Sequence, residues 1–114
     1  MRAVKLFQGY LWHPKDRGLE GRALLPECLE VPFAGGAARV WVLVDAVPPP
    51  FAFFEDGTPT ATQAFYQVTL LTKTERAPAE LKPLSEAVAA RLEPLLNALP
   101  EGVGWLLLED LREV

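Results

Sequence analysis

Every aromatic residue of this 114-residue chain lies outside the one segment that carries a helical repeat. Within that segment Leu81, Leu84, Val88, Leu92, Leu95, Leu96 and Leu99 recur at three-and-four spacing. Such spacing gathers them on one stripe, opposite Glu86, Arg91, Glu93 and Asn97, and predicts an amphipathic helix. Pro83 suits its first turn, Pro94 is expected to kink or split it, and Gly102 is placed to end it. Phe7, Tyr10, Trp12, Phe33, Trp41, Phe65, Tyr66 and Trp105 fall instead in runs with strand character, while Phe51, Phe53 and Phe54 sit in a loop. A single helix therefore has to serve a whole sheet.

The first strand runs from Ala3 to Trp12, with Val4, Leu6, Gln8, Tyr10 and Trp12 on one face and Lys5, Phe7, Gly9 and Leu11 on the other. His13 to Gly18 then reads as a hairpin connection, with Pro, Asp and Gly at turn positions. Leu19 to Val31 reads as an irregular edge strand bent at Pro26, returning through the Ala34-Gly35-Gly36-Ala37 turn; the alternative for this stretch is a short helix. From Arg39 to Val47, Val40, Val42 and Val44 alternate with Trp41 and Leu43, as in a central strand apolar on both faces. A stiff loop from Pro48 to Gly57 precedes a fourth strand that passes through Phe65 to Thr72, frayed at its start. After the helix, Val103 to Leu111 is again apolar on both faces.

The order β-β-β-β-α-β makes this a single α+β domain over residues 1–114, with a mixed, mostly antiparallel sheet of about five strands and one long C-terminal amphipathic helix. The last strand is expected to run parallel to the fourth across a right-handed crossover. A helix at residues 19–31 would give the alternative, a ferredoxin-like β-α-β-β-α-β order. A helix of ~18 residues shields roughly 270 Å² of sheet. Five strands of ~20 Å at ~4.8 Å spacing present roughly 480 Å² per face. Trp41, Leu43, Leu106, Leu108, Phe65 and Leu71 point opposite to Val40, Val42, Val44, Leu107, Tyr66 and Leu70, so apolar side chains remain on a face the helix cannot reach. Either the sheet curls on itself with the Pro/Phe loop as a lid, or a second subunit packs there; a homodimer is the expected solution, because an uncovered apolar surface of that size is unusual in a monomer.

Chemistry-bearing residues are scarce: the chain has one cysteine, one histidine, one serine (Ser85) and one asparagine. Ser85 sits on the helix without the sharp strand-to-helix turn that exposes a nucleophile. Cys28 lies among Glu27 and Glu30, fifteen residues from His13, and reads as a small buried hydrophobe. A single His and a single Cys cannot assemble a structural zinc site, and Gly35-Gly36 lacks the residues of a phosphate loop. No catalytic residue, cofactor or metal ligand is assigned.

Two clusters are candidate binding surfaces. Phe51, Phe53 and Phe54, held on the proline-rich loop, are read first as rings that fold back to cap the bare sheet face, and otherwise, with Trp41, as a candidate interface. Residues 1–39 carry six basic and four acidic side chains, whereas the remainder carries five and eleven, within a total charge of −4. Tyr10, His13, Lys15, Arg17 and Arg39 in that basic third are the candidate contacts for an anionic ligand or nucleic acid. An isoelectric point near 5.0 argues against nucleic acid as the partner.

No stretch approaches the ~18 apolar residues of a membrane helix. The opening residues lack the apolar core of a signal peptide and the lone cysteine cannot form an internal disulfide, so the expected location is the cytoplasm. Eleven prolines and few Asn, Cys and Met fit a thermophilic bacterial source. The functional reading is a non-enzymatic binding or scaffolding domain that self-associates. Its alternatives are a ligand-binding or enzymatic site at a dimer interface, and weak anion binding through the basic third.

Overall fold

A computed structural model describes residues 1–48 and 62–114. Five strands, β1 (Arg2–Pro14), β2 (Cys28–Phe33), β3 (Gly36–Val47), β4 (Gln63–Thr74) and β5 (Gly104–Glu113), and one helix, α1 (Lys82–Asn97), follow each other in the predicted α+β order. The strands form one sheet in the spatial order β2-β3-β4-β1-β5, and every neighbouring pair is antiparallel. β4 and β5 both oppose β1, so they run the same way as expected, but β1 lies between them. The helical crossover spans that intervening strand.

Residues 13–18 are not a hairpin, because both sides of β1 are occupied by β4 and β5. The chain instead makes a 3₁₀ turn at Lys15–Arg17, leaves it through Gly18 at φ +64, and crosses to the far edge of the sheet. Gly21–Ala23 forms a second 3₁₀ turn before Pro26, and only Cys28 onward pairs as the edge strand β2. The expected edge strand is therefore present in its second half, and no α-helix forms there. β2 and β3 are joined through Ala34 at φ +52 and Gly35 at φ +79. Two positive φ angles in a two-residue loop make a type I′ turn, the form that matches strand twist.

The faces of β3 and β4 follow the predicted alternation. Val40, Val42 and Val44 lie with Val68, Leu70 and Thr72 in the core, whereas Trp41 and Leu43 oppose Leu71 and Thr69 on the other face. β1 departs from it. A bulge between Lys5 and Phe7 inserts Leu6 as an extra residue, so Val4 joins Phe7 and Leu11 under the helix, and Lys5 joins Gln8, Tyr10 and Trp12 opposite. Two-residue alternation carries across a strand only until an extra residue resets it.

Helix α1 begins after a 3₁₀ turn at Pro78–Leu81, whose Glu80 carboxylate accepts from the Ala77 N–H at 2.8 Å. Leu81, Leu84, Val88, Leu92 and Leu96 are buried against the sheet, with Leu95 and Leu99 half-buried beside them. Pro94 does not split the helix, which continues through it to Asn97. Pro94 loses only one intrahelical donor near the C-terminal end, where few turns depend on it. Gly102, at φ +90, belongs to the turn into β5 rather than to the helix end.

Candidate interaction surface

The helix occupies one face of the sheet and leaves the other without a second layer of secondary structure among the described residues. Strand register arranges this helix-free face in transverse rows. One row runs Leu43, Thr69, Gln8, Leu108, and the next Asp45, Gln67, Tyr10, Leu106. A third carries Cys28, Trp41, Leu71 and Lys5. Thr69, Gln8 and Gln67 thus form a polar centre between Leu43, Trp41 and Leu71 on one side and Leu106 and Leu108 on the other. Lys73 Nζ stands 5.8 Å from the centre of the Trp41 ring. At the upper end Trp12 stacks on Phe65 with ring centres 5.8 Å apart, and the Trp12 ring also lies over Gly104.

The flank formed by β5 is the more exposed. None of its ten residues is buried, and Trp105, Leu106 and Leu108 are 42%, 42% and 61% exposed. Leu106 and Leu108 lie on the helix-free face, while Trp105 opposes Leu11 on the other. There it lines an apolar groove of about 170 Å³ with Phe7, Ala89, Leu92, Leu96 and Leu107. Sequence reading assigned these faces but did not mark β5 as an edge, and its candidate interface omitted Trp105, Leu106 and Leu108. An apolar alternation on both faces signals strand burial, not strand position.

Charged groups fasten β5 at its other end. Ser85, itself buried, donates to Glu109 Oε1 at 2.6 Å, and Lys82 Nζ reaches Glu109 Oε2 at 2.6 Å. Lys82 and then Ser85 hold the Glu109 carboxyl below its usual range. On the opposite face the buried Lys5 ammonium binds Asp110 at 2.8 Å and the Gln8 side-chain oxygen. That hydrogen bond from Lys5, with the nearby Arg112, lowers the Asp110 carboxyl against the opposing effect of desolvation. Ser85 is therefore a tether between helix and strand, its proton committed to a carboxylate that is already paired.

The remaining predicted site residues are dispersed. His13 is buried under the helix side, stacked on Tyr66 at 5.4 Å, whereas Tyr10 lies half-buried on the helix-free face. The Pro14 carbonyl, 2.8 Å from His13 Nδ1, can only accept, so in the neutral ring Nδ1 donates and Nε2 accepts from the Tyr66 hydroxyl at 3.0 Å. Lys15 and Arg17 sit in the exposed turn beyond β1. Arg39 pairs with Glu30 at 2.8 Å near the opposite end of the sheet, about 40 Å from Lys15 at ~3.3 Å per strand residue. These five residues do not converge on one ligand. Trp41 is half-buried on the helix-free face, and Phe51, Phe53 and Phe54 lie outside the described residues.

Cys28 is exposed rather than buried, because the first residue of an edge strand directs it to the helix-free face opposite Trp41. No cluster of three metal-ligating side chains occurs among the described residues. No helix among them is long and apolar enough to cross a membrane.

Comparison with known families places the full length, residues 1–114, in DUF3208, a family described as of unknown function. The chain belongs to the DUF3208 family. No curated protein matches it. The surface of this DUF3208 chain, rather than a relative's activity, has to carry the functional reading.

Proposed function

We propose that this chain is a non-catalytic binding or scaffolding domain that works by self-association. The carrying observation is the mismatch between sheet and cover. Strands of 13, 6, 12, 12 and 10 residues present roughly 840 Å² per face at ~3.3 Å rise and ~4.8 Å spacing. The 16-residue helix shields about 240 Å², on one face. Apart from the terminal Met1 and Val114, Leu43, Trp105, Leu106 and Leu108 are the large apolar side chains most exposed among the described residues, and because each is only about half exposed, burying the remainder is worth about 1 kcal/mol apiece.

Dispersal of Tyr10, His13, Lys15, Arg17 and Arg39 gives a catalytic or anion-binding reading no comparable support. The free thiol of Cys28 fits a reducing compartment, in keeping with a cytoplasmic protein. Light scattering on the intact chain tests the proposal. Twice the 12.6 kDa chain mass at tens of micromolar is expected, and a monomer mass at that concentration overturns it.

A further inference from the structure

We infer that the partner is a second copy of this chain, joined at the outer edge of β5 so that two five-stranded sheets become one continuous ten-stranded sheet. The inference rests on the reading that the chain self-associates, and it specifies where. Its starting point is a conflict between sequence and position. β5 carries Trp105, Leu106, Leu107, Leu108 and Leu111, apolar on both faces as a central strand is, yet it stands at the edge with no buried residue. A strand with that pattern is consistent with its surroundings only when a neighbour covers its second side.

The two edges of the sheet differ in a way that selects β5. β2 is six residues long, contains Pro32, which has no N–H to offer, and carries the Glu30–Arg39 ion pair. Those are the usual guards of an edge that is to remain unpaired. β5 is ten residues long, lacks proline, and places its charges only at the far end. The helix-free face offers less as a stacking surface, since Gln8, Gln67 and Thr69 separate Trp41 and Leu43 from Leu106 and Leu108.

Symmetry and side-chain chemistry narrow the register. A two-fold axis normal to the sheet must pass through a residue, because opposed residues have to share a face. Centred on Leu107, Leu106 faces the partner's Leu108 and the reverse, which gathers four leucines on one face, while Trp105 faces the partner's Glu109. No like charges are opposed. Centred one residue later, Leu106 would face Asp110 and Leu107 would face Glu109, setting carboxylates against leucines. In the Leu107-centred register residues 104–110 of the two copies pair, a stretch of ~23 Å. Over the 20 Å thickness of the molecule it meets its partner across roughly 460 Å² a side, at the small end of interface sizes, so the contact rests on its leucine cluster rather than on area. The groove beside Trp105 lies along the same edge and receives the partner's side chains on the helix side.

Sedimentation equilibrium from low micromolar to several hundred micromolar, on wild type, Trp105→Glu and Leu43→Lys, tests the inference. Trp105 is on the helix side of β5 and untouched by any stacking of helix-free faces, whereas Leu43 is three strands away from the edge. Trp105→Glu should raise the dimer dissociation constant about tenfold or more, and Leu43→Lys should leave it within a factor of about two. The reverse order overturns edge pairing while leaving self-association intact, and a monomeric wild type throughout overturns both. If Trp105→Glu does not fold, as judged by circular dichroism, disulfide capture decides. In a Cys28→Ala background, Leu107→Cys should cross-link on mild oxidation, because residues on the axis sit at disulfide distance. Cross-linking of Leu43→Cys instead would overturn the proposal.

Discussion

Replacing Gly9 by alanine tests how β5 is seated on β1, and it does so through the sign of the effect as well as its size. A Cβ at position 9 would lie 1.7 Å from the Leu106 carbonyl oxygen, 2.7 Å from its carbonyl carbon and 2.9 Å from Leu107 Cα. All three are backbone atoms, so no side chain can swing aside. Carbon and oxygen come no closer than about 3.3 Å, so β5 has to withdraw by about 1.6 Å. That displacement lengthens a 2.9 Å backbone hydrogen bond to about 4.5 Å, beyond any bonding distance. Losing two such bonds costs about 1–3 kcal/mol. At an unfolding entropy of ~2.1 cal/mol/K per residue, the melting midpoint of a chain this long falls by about 4–12 °C.

Gly9 is not among the described glycines with positive φ, which are Gly18, Gly35 and Gly102. Without the clash, alanine would therefore gain about 0.4–1 kcal/mol by restricting the unfolded chain. Gly36→Ala is the matched control, since Gly36 also avoids positive φ and a Cβ there meets nothing within 4 Å. Thermal unfolding followed by circular dichroism should show Gly9→Ala well below wild type and Gly36→Ala at or slightly above it. A Gly9→Ala midpoint equal to or above wild type would refute the close approach of the two strands.

Two further perturbations probe the polar contacts. Glu109 and Asp110 are held below their usual range by Lys82 with Ser85 and by Lys5 with Arg112. Carboxyls lowered in the folded state contribute fully above the unfolded pKa of about 4 and lose that contribution as pH falls through the folded value. Urea midpoints from neutral to acid pH should therefore decline through that window for wild type and decline less for Glu109→Gln; parallel curves would contradict the tether. Tyr66→Phe removes the hydroxyl that serves buried His13 Nε2 and should cost about 1–3 kcal/mol in urea unfolding. An unchanged midpoint would mean that bond adds nothing to stability.

The elements themselves were legible because their signals are local. The leucine stripe predicted α1, and alternation in β3 and β4 sorted core residues from those opposite. The errors came where one residue changes the count or where position matters more than type. The extra residue at Leu6 reversed the faces of Val4 and Lys5, and an edge position exposed Cys28, which residue type alone would bury. Tyr10, His13, Lys15, Arg17 and Arg39 share a basic third of the sequence, yet β1 sends Tyr10 and His13 to opposite faces and the sheet carries Arg39 to its other end.

Strand adjacency was the largest gap. Sequence by itself determined that this chain builds one helix and five strands with more apolar sheet than the helix can cover, because side-chain periodicity records which faces meet water. Tertiary structure alone decided that β1 separates β4 from β5 and that the apolar last strand stands at the edge. Strand neighbours are chosen by backbone hydrogen bonds between distant segments, and the N–H and C=O groups that make them are the same in almost every residue.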